Sequence, residues 1–145
     1  MARRPARVIS LGGFPGDPLN VWYGPVLKAL RSSGLFVEVS LIGAKVRASL
    51  SETLFLDVHF DPTTRSYSYA FIDLTAPDPG DKRIFGWDDY PHEGVEAIRR
   101  LSSYPHHFQQ RGSNGEFIFE ESSMRGDVER EMSLVLAALS RYLNH

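Results

Sequence analysis

Hydrophobic and polar positions alternate with a period of two through the middle of the chain and with a helical period near both ends. In "LFVEVSLI", Val37, Val39 and Leu41 alternate with Glu38 and Ser40; in "TLFLDVHF", Leu54, Leu56, Val58 and Phe60 alternate with Phe55, Asp57 and His59. "SYSYAFIDL" and "RIFGWDDY" are rich in β-branched and aromatic residues, and "DPTT" and "TAPDPGDK" read as the turns that bound them. "GEFIFEE", entered through "RGSNG", reads as a fifth strand. Upstream, Asp17 and Pro18 make an N-cap and a first helical position, Gly34 a stop, and Trp22, Val26, Ala29 and Leu30 repeat at helical spacing. Pro25 interrupts that repeat, which predicts a kink near Val21 or, as the preferred reading, a helix that begins at Pro25. At the other end Asp127 caps a helix with Glu129 and Glu131 in its first turn and one apolar stripe of Val128, Met132, Val135, Leu136, Leu139 and Leu143. The pattern predicts an α+β domain: a curved antiparallel sheet of about five strands, one face buried, packed by an N-terminal and a C-terminal helix.

Length and composition place this pattern in a single domain spanning residues 1–145, with 1–7 as a flexible tail. A net charge of −2 carries no basic footprint for nucleic acid over the chain as a whole. The absence of cysteine excludes a disulfide framework and thiolate metal sites. No apolar run has the length of a membrane span and no signal peptide is visible, so a soluble, cytoplasmic protein is expected, with no membrane partner.

Candidate chemistry concentrates in "YPHEGVEAIRRLSSYPHH", residues 90–107, where Tyr-Pro-His occurs twice and three of the five histidines fall. Asp88 and Asp89 lie just upstream, at the end of a predicted strand. Histidine titrates near neutrality, which suits acid–base work and, in its neutral form, metal ligation. Neighbouring side chains in extended backbone point to opposite faces, so only one of His106 and His107 shares a pocket with the strand-end carboxylates. Between the two turns Val95, Ile98 and Leu101 recur at helical spacing from Pro91 to Ser102–Ser103. Such a helix of ten residues would hold its ends about 15 Å apart. That distance, and the lack of any zinc-type spacing, leave no metal or other cofactor expected. His59 beside Asp57 reads as a hydrogen-bonded surface pair. "SLGGFPGD" matches neither the Walker nor the dinucleotide fingerprint and reads as a loop. It also resembles the opening of HxGH nucleotidyltransferases, but where those enzymes carry two histidines this chain has Asn20-Val21-Trp22-Tyr23-Gly24.

In the order "SYSYAFIDL", "FGWDDYPHE", "SYPHHFQ" and a final amphipathic helix, the chain resembles the TumE-type toxin family of prokaryotic toxin–antitoxin systems. The resemblance covers about the C-terminal half well and the preceding strands loosely; residues 8–34 are an extra N-terminal segment outside it. It implicates Asp88, Asp89, Pro91 and His92 in the first motif, and Pro105, His106 and His107 in the second. The chain departs from the family pattern at Glu93 and Gln109, where histidines are usual, and in a longer spacer. The resemblance implies a cognate antitoxin as partner and, as activity, a metal-independent endoribonuclease working by histidine general acid–base catalysis. His92 takes one role and His106 or His107 the other, with Asp88 and Asp89 beside them. Arg99, Arg100 and Arg111 are the candidate phosphate contacts, since guanidinium suits bidentate phosphate binding, and Tyr90 and Tyr104 complete the substrate-binding candidates. RNA and a second copy of the chain are the further partners considered. The alternative function is a non-catalytic protein-binding module that uses the sheet edge or the "GGFPGD" loop.

Overall fold

A computed structural model describes residues 18–144, with side chains from residue 22 onward. The flexible-tail and "GGFPGD" expectations therefore lie outside the described residues. The elements run α1 Pro18–Ser32, β1 Glu38–Ile42, β2 Lys45–Ser49, β3 Leu54–Phe60, β4 Tyr67–Asp73, β5 Arg83–Asp88, α2 Glu96–Arg99, β6 His107–Arg111, β7 Phe117–Glu121 and α3 Val128–Leu143. The strands form one seven-stranded sheet in chain order, each antiparallel to the next. The α+β class and the antiparallel meander agree with the sequence pattern. The count of about five strands does not.

The two unforeseen strands share a cause. In β2, Val46 and Ala48 enter the core while Lys45 and Arg47 face out, a short alternation dominated by its cations. In β6 only Phe108 packs against the main core, and the opposite face carries the buried polar residues His107 and Gln109. Hydrophobic periodicity has little to register there.

One face of the sheet carries the main core. Val39, Val46, Leu56, Val58, Tyr69, Phe71, Phe85 and Trp87 meet Val26 and Leu30 of α1 and Val128, Met132, Val135 and Leu139 of α3. The α3 stripe is thus core, as its spacing predicts, although Leu143 at its end is exposed. The first turn of α3 differs from expectation. Asp127 occupies the N-cap position without a side-chain hydrogen bond. Glu131, fully buried, accepts instead from the N–H groups of Arg125 and Gly126, at 2.7 and 3.1 Å, and from Tyr69 Oη at 2.8 Å. The carboxylate reaches back to the two residues before the N-cap and fixes the chain's entry into the helix.

α1 begins at Pro18 and not at Pro25, which lies inside it. A proline disfavours helical backbone in the residue before it by crowding that residue's Cβ. Here that residue is Gly24, which has none, so the helix passes through with the loss of one backbone donor. Among the described residues no helix is long and apolar enough to cross a membrane.

The other face of the sheet is polar at one end and covered at the other. Asp57 accepts from Arg47 Nε at 2.8 Å and Lys45 Nζ at 3.0 Å, and Arg47 lies over the Phe55 ring. The Asp57 oxygens are committed to these two cations of β2 and the carboxylate is buried, so the expected surface pairing of Asp57 with His59 is not what the structure shows. At the far end the 89–106 connection runs beside β7 and buries Ile98 outside the main core.

Candidate functional site

The site is built from a cross-strand pair. Asp88, the last residue of β5, is in register with His107, the first of β6, so both side chains stand on the same face of the sheet, directly opposite one another. His107 Nε2 lies 3.2 Å from Asp88 Oδ1, and the ring is fully buried. Its Nδ1 is 2.9 Å from the Pro105 carbonyl oxygen, which can only accept, so Nδ1 carries the hydrogen. The ring's orientation is set by that bond.

His92 arrives from the other side. The Asp88 carboxylate accepts the Tyr90 N–H at 2.9 Å and so turns the chain as it leaves β5. His92 itself has left-handed backbone, φ 43°, a conformation uncommon for a residue with a Cβ. The turn brings His92 Nε2 to 3.6 Å from the same Asp88 Oδ1, with the imidazole rings of His92 and His107 5.0 Å apart. Both Nε2 atoms are buried and neither makes a hydrogen bond. Burial lowers the His92 pKa, opposed by the adjacent Asp88 charge, while the cation of a protonated His107 would lower it further.

These positions overturn the expected separation of about 15 Å between the two Pro-His turns. α2 has four residues, Glu96–Arg99, in place of ten. Gly94, φ 85°, delays its start, and the chain then folds back so that Ser102 and Ser103 donate their N–H groups to Glu121 of β7, at 2.8 Å each. The distance argument against a shared ion falls with the long helix: Asp88, His92 and His107 each offer one ligand atom, and these lie within 4.8 Å of one another.

The remaining candidates divide. His106 points to the helix side, stacked on Tyr67 with its Nδ1 2.7 Å from the phenol oxygen. Tyr67 Oη donates to the Met124 carbonyl, so His106 Nδ1 donates to the phenol. Burial, and then the charge of Arg125, lower the His106 pKa. Asp89 accepts from Ser66 Oγ at 2.6 Å and from the Tyr67 N–H at 3.3 Å, bracing the β4 start. Neither faces Asp88. Arg111 is held by the carbonyls of Gly115 and Asp81, by Asp78 and by the Phe117 ring, so its guanidinium is committed to joining the β6–β7 turn to the β4–β5 connection. Arg99, the last residue of α2, and Arg100, just beyond it, are exposed and pair with Glu96. Tyr104 is exposed, and Tyr90, 63% exposed, sets its ring edge-on to His92 at 4.9 Å.

Arg83 is the site residue that sequence reasoning missed. Its Nη1 donates to Asp88 Oδ2 at 2.9 Å. By simple alternation Arg83 shares a face with Phe85 and Trp87, in the core. A bulge alters the count: Phe71 pairs with Phe85, but Ile72 pairs with Arg83, so Ile84 is the extra residue and Arg83 moves to the Asp88 face. Gly86 leaves room for it; a Cβ there would lie 3.0 Å from Arg83 Cδ and 2.7 Å from the Tyr69 carbonyl oxygen. No sequence signal marks a bulge at Ile84.

No family model, no curated protein and no solved structure matches this chain.

Proposed function

We propose that the chain is the toxin-like component of a prokaryotic toxin–antitoxin pair and cleaves RNA, without a metal, at the Asp88–His92 end of β5. The observation that carries the reading is the convergence of two imidazoles on one buried carboxylate, where the Asp-Asp-Tyr-Pro-His and Tyr-Pro-His-His motifs lead. The order of those motifs supports the toxin assignment, and the antitoxin partner follows from the same resemblance.

The division of labour differs from the expected histidine pair. His107 is fully buried and His106 faces the other side of the sheet, so His92 is the imidazole that meets substrate. Its Nε2 is turned inward to Asp88, which favours the tautomer with hydrogen on Nε2 and a lone pair on Nδ1. Nδ1 takes the proton of a ribose 2′-hydroxyl, and that oxygen attacks the adjacent phosphorus. The bond to the 5′ oxygen breaks, and that oxygen takes a proton from water, leaving a cyclic phosphate and a 5′-hydroxyl. Asp88 and His107 hold the base in place. Tyr90 offers an exposed ring on which a nucleobase stacks, and the exposed side chains of Arg99 and Arg100, at the end of α2, contact phosphate.

The test is cleavage of a defined RNA by the purified chain, beside growth of bacteria expressing it without a partner. His92→Ala is expected to lower the cleavage rate by about 10²–10⁴-fold, the usual worth of a positioned base, and to relieve any growth arrest. His106→Ala is expected to retain activity. Equal cleavage, or equal absence of it, in wild type and His92→Ala overturns the reading in favour of a binding module that works through the sheet edge.

A further inference from the structure

We infer that Asp88 Oδ1, His92 Nε2 and His107 Nε2 form a binding site for a divalent transition-metal ion of the zinc type, one that competes with the proton-transfer role of His92.

The first argument is spacing. An ion with nitrogen and oxygen ligands at about 2.0–2.1 Å in tetrahedral array places those ligands about 3.3 Å apart. The two imidazole nitrogens stand 3.2 and 3.6 Å from Asp88 Oδ1, and one ligand atom from each of the three residues falls within 4.8 Å of the other two. The second is direction. Both Nε2 atoms are buried against the carboxylate and neither hydrogen-bonds to it. Ligand atoms behave this way when they aim at a common third point and not at one another.

The third argument is the tautomer. His107 gives its Nδ1 hydrogen to the Pro105 carbonyl, so the neutral ring presents a lone pair at Nε2, facing a carboxylate oxygen in a fully buried position. Two lone pairs at that distance repel, and a cation between them resolves the conflict. A ligating histidine typically donates its other ring N–H to a backbone carbonyl or carboxylate, which fixes the ring and its tautomer. The carboxylate is prepared as well. Arg83 holds Oδ2, and the Tyr90 N–H takes one lone pair of Oδ1, which leaves the other for an ion.

Two imidazoles and one carboxylate suit zinc, cobalt or nickel better than magnesium or calcium, which take oxygen ligands. Three protein ligands leave a coordination position for water. The Arg83 cation on Oδ2 opposes the ion's charge, so the bound metal is exchangeable and its affinity moderate. With Nε2 of His92 ligated, Nδ1 keeps its hydrogen and is no base.

The full chain, freed of metal by a chelator and dialysed, is titrated with ZnCl₂ by calorimetry and with CoCl₂ by visible absorption. The expected result is saturable binding of one ion, the visible band of low-coordinate cobalt, and a rise in Tm on adding zinc. His92→Ala is expected to weaken binding by more than about 100-fold, beyond the loss typical of an outer-shell partner, while its unfolding transition shows that it folds. His107→Gln is a secondary test because its position is fully buried. A His59→Gln/His106→Gln variant, which removes the other two histidines among the described residues, keeps wild-type binding. No saturable binding, or equal binding by His92→Ala, overturns the inference. The RNA-cleavage reading fails separately: cleavage without metal binding leaves that reading standing and removes this one, and metal binding without cleavage does the reverse.

Discussion

Arg83, Gly86 and Asp88 show how much a site depends on a residue that has no side chain. The Arg83 stem crosses β5 over Gly86 to reach Asp88, and the added carbon of an alanine there would press on Arg83 and on a backbone oxygen of β4 that cannot withdraw. Gly86→Ala is expected to cost about 1–3 kcal/mol, as overpacking does, read as a lower urea midpoint at unchanged m-value. Asp88, His92 and His107 could be picked out as candidates because their types and order are visible in the chain. Asp89 and His106 carry the same chemical types and were indistinguishable until their hydrogen bonds to Ser66 and Tyr67 were seen. Which imidazole of the adjacent pair faces the carboxylate follows from the strand register, Asp88 against His107.

Among the elements, the connection from β5 to β6 departs most from its sequence pattern. Val95, Ile98 and Leu101 do recur at helical spacing, yet only Ile98 becomes fully buried and the helix stops after one turn. Glu121 on β7 accepts two consecutive N–H groups just beyond it, closing the chain back over the sheet. Those bonds hold the Glu121 pKa down to about 2 from an ordinary 4.5. A carboxyl group depressed in the folded state stabilises it above the unfolded pKa and loses that contribution as pH falls through the folded one. Glu121→Gln is therefore expected to unfold at lower temperature than wild type at pH 7. The gap should narrow as pH falls below about 4.5 and close near pH 2. Thermal unfolding across that range checks it; a gap that does not depend on pH would assign the effect to something other than the carboxylate's charge.

On the scale of the whole molecule, α3 ties the sheet to α1. Met132, fully buried, belongs to the core these elements share, and Met132→Ala is expected to cost about 2–5 kcal/mol, measured by chemical denaturation. The class of fold, the core face of α3, the antiparallel meander and the clustering of aspartates and histidines in residues 88–107 were legible in the order of residues, because each rests on local periodicity or on residue type. The extra strands β2 and β6, the bulge at Ile84, the buried Glu131 and the meeting of His92 with His107 were not. Each depends on which strand lies beside which, and on polar side chains satisfied by partners far along the chain. Periodicity says which way a side chain leaves its own backbone; only packing says what it finds there.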